Sequence, residues 1–198
     1  MNPAPSTNGL APANLVVIGA STGGTRVVTY LLDRLPPLRA AVVIVQHMPK
    51  FINLSFARTL ARHARSEVRL VQDGDPLQDG AFYLAPSDIH CTVVANRRLR
   101  LSPGPDVNYV CPSIDVTMQS LQSPASGQRI IGILLTGMGR DGANGLAYIR
   151  KLGGVTIAQN EASCAVYGMP VEAVKLGCVD FELPPDAIVT MLAARLAR

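Results

Sequence analysis

The chain has 198 residues, 48% of them hydrophobic and 16% charged, with a formal net charge of +4. That is enough apolar material for one packed domain, and no run of about eighteen apolar residues marks a membrane span. With no tryptophan and no aromatics interleaved among its basic residues, it does not read as a nucleic-acid binder; the mild positive excess favours an acidic protein surface as partner.

Residues 1–13 lack the basic start and apolar core of a secretory signal. Their composition predicts a disordered leader before a single domain over residues 14–198, in a cytoplasmic protein. The apolar run Leu15-Val16-Val17-Ile18 reads as a first strand, followed by Gly19-Ala20-Ser21-Thr22-Gly23-Gly24 and a helix from about Thr25 to Leu35. A second strand is expected over Ala40–Gln46, ending at His47, then a helix over Leu54–Arg65 and a third strand over Glu67–Val71. A short strand at Ala81–Ala85 precedes an antiparallel hairpin near residues 89–101, turning at Asn96-Arg97. The segment 103–112 reads as a long irregular loop, a kind usually functional inside compact domains; Ser113 is a candidate cap for the helix after it.

Ile130–Leu135 forms another strand, breaking into the glycine-dense turn Thr136-Gly137-Met138-Gly139-Arg140-Asp141-Gly142. A helix over Ala143–Leu152, a strand over Gly154–Ala158, a helix over Val171–Leu176 and a short strand at Cys178–Phe181 follow. Pro184-Pro185-Asp186 opens the terminal helix. Apolar strands alternating with helices predict an α/β fold, a doubly wound, mostly parallel sheet with helices on both faces.

In such a sheet ligands bind beyond the carboxyl ends of the strands. Ser21, His47 and Asp141 each follow one of those ends. A serine hydroxyl needs a base within hydrogen-bond reach, and the base needs an orienting carboxylate. The three residues supply these roles, with Asp141 expected to accept from Nδ1 of His47 and leave Nε2 for the serine proton. His90 is the rival base, with a structural or substrate-contact role favoured for it; His63 reads as a solvated helix position. Asp73, Asp75 and Asp88 are rival carboxylates in turns. Thr22 and the glycines around Met138 can bring N–H groups to a developing oxyanion.

A dinucleotide site would want Gly-x-Gly-x-x-Gly after the first strand and an acidic residue after the second. Here Ser21 and Gln46-His47 stand there. An α/β-hydrolase would run Ser, acid, His, whereas this order is Ser, His, Asp. Cys91, Cys111, Cys164 and Cys178 have no Cys-x-x-Cys spacing and read as reduced thiols in or near the core, without metal.

The strings Ile18–Gly24, Gln46-His47-Met48-Pro49, Leu134–Gly142 and Gln159–Cys164, together with Leu84-Ala85-Pro86 and Tyr167–Pro170, resemble the catalytic domain of the bacterial chemotaxis protein-glutamate methylesterases (CheB). The resemblance runs from about Leu15 nearly to the C-terminus, in the family's motif order. It implies a serine hydrolase that removes methyl esters from glutamates on the helical cytoplasmic domain of chemoreceptors, releasing methanol, and that also deamidates receptor glutamines. Ser21 would be the nucleophile, His47 the base, Asp141 its orienter, and Thr22 and Met138 the oxyanion side. No cofactor or metal, no nucleic acid and no membrane insertion are implied, and a monomer is expected.

Members usually carry a receiver domain before this region, and none is expected in this chain. Arg26, Cys111 and the pair Ile52-Asn53 depart from the family's usual residues and are expected to face substrate. The alternatives are a catalytically silent receptor-binding module and an esterase for small esters.

Overall fold

The structure, a computed structural model, describes residues 14–197; the expected leader over 1–13 lies outside them. Strand β1 (Asn14–Ala20) leads to α1 (Gly24–Arg34), β2 (Ala41–Gln46), α2 (Asn53–His63), β3 (Val68–Leu70) and β4 (Phe82–Leu84). A hairpin of β5 (His90–Val94) and β6 (Arg98–Ser102) and the short α3 (Ile114–Gln119) interrupt the alternation. It resumes with β7 (Arg129–Leu134), α4 (Ala143–Lys151), β8 (Val155–Gln159), α5 (Met169–Lys175), β9 (Phe181–Leu183) and α6 (Pro185–Leu196).

Seven strands form one sheet in the order β3-β4-β2-β1-β7-β8-β9. Every pairing in it is parallel, so the expected mostly parallel sheet is wholly so. Strand β1 lies at the centre, where strand order reverses: the chain leaves it toward β2 on one side, and β7 returns on the other.

Residues of β1 alternate between two cores, Leu15 and Val17 on one face and Val16, Ile18 and Ala20 on the other. This double burial is why the strand is apolar throughout. Helices α1, α2 and α6 cover the second face through residues such as Leu31, Phe56, Leu60 and Ile188. Helices α3, α4 and α5 and the hairpin cover the first through Met118, Leu146, Met169 and Cys91. Helix α1 buries Val28, Leu31 and Leu32, one face at helical spacing. It stops at Leu35, whose extended backbone (φ −69°, ψ 131°) suits the residue before Pro36.

The last strand is displaced from its expected place. Cys178 is buried at the end of α5, its N–H donating to Ala173 O, and the strand begins at Phe181. The apolar pair Cys178-Val179 feeds the core, whereas β9 is an edge strand with Phe181 and Glu182 exposed, so hydrophobicity pointed a few residues too early. No helix among the described residues is long and apolar enough to cross a membrane.

Candidate active site

Ser21 is the first residue beyond β1. Its N–H donates to Thr136 O (3.0 Å), tying it to the turn after β7, and its carbonyl accepts from Gln46 Nε2 (2.9 Å) and from Gly24 N (2.8 Å). The turn into α1 passes through Gly23 at φ 81°, a left-handed conformation that glycine adopts without strain. On the other side a side chain on Gly137 is excluded: its Cβ would lie 2.6 Å from Ser21 Cβ and 2.5 Å from Met169 Sδ. The serine side chain is thus packed against bare backbone. Its hydroxyl makes no hydrogen bond among the described residues.

His47 follows β2, one strand over, and its N–H donates to Ala20 O at 3.0 Å. The β1–β2 register opposes Ala20 and Gln46, so serine and histidine emerge side by side. Asp141 comes from the turn after β7, and its Oδ2 lies 3.0 Å from His47 Nε2. This corrects the expected use of Nδ1. The acid stands two strands away from β2, and the distal ring nitrogen is the one with that reach. Nε2 therefore carries the proton donated to Asp141, and Nδ1 is left as the acceptor.

Asp141 is 3% exposed, and all its contacts are donors. Oδ1 accepts from Ser113 Oγ (2.6 Å), Asn108 Nδ2 (2.9 Å) and Asp115 N (3.3 Å), and Oδ2 accepts from Ile114 N at 2.6 Å besides His47. Burial by itself would raise this carboxyl, but the bonds from His47, Ser113, Asn108 and Ile114 outweigh it and hold it below the ordinary carboxylate value. Asp115 is buried next to it and is displaced the other way. Burial raises it, the N–H of Gly145 opposes, and the charge of Asp141 adds to the rise.

Thr22 and Met138 flank this centre, Met138 being 76% exposed. Their backbone N–H groups donate no hydrogen bond among the described residues. A cavity of about 380 Å³ opens beside His47, with Asp88, Asp106, Tyr109 and Cys111 in its walls. Cavities of about 450 and 630 Å³ lie along α1 with Arg26 in both; neither contains Ser21, His47 or Asp141. Among the described residues no three His, Cys, Asp or Glu side chains converge as metal ligands would.

Of the rival residues, Asp88 lines the cavity beside His47, and the others are engaged elsewhere. His90 is buried, its Nδ1 accepting from Ser113 N (3.2 Å) and its Nε2 donating to Pro105 O (2.9 Å), a neutral structural imidazole. His63 is exposed and pairs with Asp33 at 3.2 Å. Asp73 and Asp75 accept backbone N–H groups of Leu101 and Gln72. Asn53, expected to face substrate, is instead 5% exposed, with Oδ1 2.8 Å from Ser87 Oγ. Asn108 and Asp115 were not singled out from the sequence; the only signal was that Asn108 lies in the long irregular loop.

A hydroxyl, an imidazole and a buried carboxylate at three strand ends of a doubly wound sheet are the parts of a serine hydrolase centre. The family model for CheB methylesterase matches residues 16–192, and the chain belongs to that family. A protein-glutamate methylesterase/protein-glutamine glutaminase of Pectobacterium atrosepticum is 43% identical over 174 residues, 86% of this chain and 49% of that protein. A second, from Pseudomonas aeruginosa, is 43% identical over 192 residues, 96% of this chain and 55% of that one. The chain thus spans about half the length of the curated relatives it matches. The crystal structure of the Thermotoga maritima CheB methylesterase catalytic domain superimposes with a TM-score of 0.85 at 33% identity, covering 91% of this chain and 97% of that one.

Proposed function

We propose that the chain is a protein-glutamate methylesterase acting on methylated chemoreceptors, with Ser21 as nucleophile, His47 as base and Asp141 as orienting acid. Residues 14–198 form its catalytic domain, which works in the cytoplasm; it also deamidates glutamine side chains, as the names of its relatives suggest. The observation that carries the reading is the bond from His47 Nε2 to Asp141 in a chain of this family.

The Ser21 hydroxyl attacks the ester carbonyl carbon while His47 Nδ1 takes its proton. Asp141 stabilises the imidazolium through Nε2–H. The carbonyl oxygen becomes an oxyanion within reach of the free N–H groups of Thr22 and Met138. Collapse breaks the bond to the methoxy oxygen, which leaves as methanol with the proton from Nδ1. Water, deprotonated by the same nitrogen, then hydrolyses the glutamyl–serine ester and restores the enzyme. Glutamine follows the same course with ammonia leaving.

The test is Ser21→Ala, assayed by methanol release from a methylated receptor fragment and by hydrolysis of p-nitrophenyl acetate. A loss on the order of 10⁴-fold is expected with the fold intact; retention of more than about a tenth of the activity rules the nucleophile out. Turnover of the small ester without the receptor fragment would mark a general esterase, and turnover of neither a silent binding module.

A further inference from the structure

One side-chain amide faces both buried carboxylates. Asn108 sits in a tight turn in which Val107 and Val110 exchange backbone hydrogen bonds of 3.1 and 3.2 Å. Both central residues have positive φ, 55° at Asn108 and 66° at Tyr109. Two-residue turns of this hand demand that geometry, and asparagine is among the few non-glycine residues that adopt it readily. Its Nδ2 lies 2.8 Å from Asp115 Oδ2 and 2.9 Å from Asp141 Oδ1, while its Oδ1 accepts from Arg140 Nε at 3.2 Å. These partners fix the amide orientation: two N–H hydrogens point at two carboxylates, and the oxygen at a guanidinium.

We propose that Asn108 is a positioning residue of this site, its amide bridging Asp115 and Asp141 so that Asp141 keeps Oδ2 as an acceptor for His47. The same amide fastens the loop carrying Asp106, Tyr109 and Cys111, one wall of the cavity beside His47, to the acid of the triad. The inference rests on the reading of Ser21, His47 and Asp141 as catalytic.

Neighbouring carboxylates in a buried site disfavour joint ionisation, and donors shared between them oppose that. Asp115 has two further donors, Gly142 N (3.0 Å) and Gly145 N (2.6 Å), on its other oxygen. Asn108 is the donor common to both acids. Without it the pair takes up a proton more readily, and a proton on Asp141 competes with the bond from His47. The ionisable groups around the pair are His47 beyond β2, Arg140 beside Asp141, His90 on β5 through Ser113, and Cys178 after α5.

The experiment compares Asn108→Gly and Asn108→Asp with wild type, each assayed well below its melting temperature. Glycine keeps the turn's backbone freedom and removes the amide. Aspartate keeps the shape and tolerates the turn, but exchanges the donor for an acceptor. Both are expected to lower kcat by about 10- to 100-fold, the worth of one hydrogen bond to a charged group, with aspartate at least as damaging as glycine.

In Asn108→Gly the carboxyl carbon of Asp141, followed by NMR, should titrate at higher pH than in wild type. Near-wild-type activity of Asn108→Asp, or an unmoved Asp141 titration in Asn108→Gly, overturns the proposal, because a role confined to loop shape gives those results. The titration needs no turnover. An inactive wild type would therefore refute the catalytic reading and still leave the bridge decided.

Discussion

Replacing Asp141 with asparagine changes one oxygen to NH₂ in a pocket whose every partner donates. If the new NH₂ takes the place of Oδ2, it meets Ile114 N–H and forces His47 Nε2 to become an acceptor. The ring proton then moves to Nδ1, the atom that must receive the proton of Ser21. If it takes the place of Oδ1, it meets the Asn108 amide and the Asp115 N–H, and His47 still loses its charged partner. A stranded buried donor costs about 1–3 kcal/mol. With two in either orientation, less relaxation, a loss of about 2–4 kcal/mol is expected. At about 2–4 °C per kcal/mol for a domain of this size, melting falls by roughly 4–16 °C. The corresponding change in a serine protease costs about 10⁴-fold in kcat; a half-open site loses less, and at least about a hundredfold is expected here. Methanol release from methylated receptor fragment at 25 °C, with a thermal melt on the same sample, measures both. Asp75→Asn, at a turn, should stay within about tenfold of wild type. A folded Asp141→Asn protein keeping more than about a tenth of wild-type kcat would refute the assignment.

Gly137→Ala should lower activity by more than about tenfold and stability by about 1–3 kcal/mol, since the new methyl overlaps Ser21 Cβ and Met169 Sδ; an unaffected variant would show that the turn yields freely. Asp141 titrates below its ordinary value in the fold, so its ionised form stabilises above about pH 4, the unfolded value, and that contribution is lost as pH falls through the folded one. The melting difference between wild type and Asp141→Asn should therefore hold between about pH 5 and 8 and shrink on acidification; a gap that widens in acid contradicts this. Asp115, raised in the fold, works oppositely, its contribution present below the unfolded value and lost as pH rises through the folded one. Burial pushes the Cys91 thiol up to about 12 and that of Cys164 up to about 11. At pH 8 Cys164 is then about 0.1% thiolate against about a quarter for a free cysteine, so iodoacetamide, followed by mass spectrometry, should modify it at least about a hundredfold more slowly than glutathione.

The central strands were legible because parallel strands buried on both faces must be apolar, and the glycines after them marked where each ended. Ser21, His47 and Asp141 could be read as neighbours only through the rule that such sheets gather ligands at one edge. Three kinds of feature escaped. Strand β9 pairs by its backbone while exposing Phe181 and Glu182, so it has no hydrophobic signature. The ring nitrogen that meets Asp141 depends on the distance between β2 and β7, a property of strand order. Asn108 and Asp115 act through convergence with a residue 33 and 26 positions away, respectively, which no local pattern encodes.

The central position of β1 has a further consequence during synthesis. Its partner on one side, β2, ends at Gln46, but its partner on the other begins only at Arg129. At about 5–20 residues per second on the ribosome, the intervening chain takes roughly 4–17 s to appear. For that interval the apolar strand Leu15–Ala20 presents an unpaired backbone edge, the feature through which growing chains join one another. Docking of β7 closes that edge and, in the same event, brings Asp141 to His47. The edge exposed during synthesis then passes from β1 to β7, where β8 from Val155 onward covers it, so the strand carrying Ser21 is sealed at the step that delivers its acid.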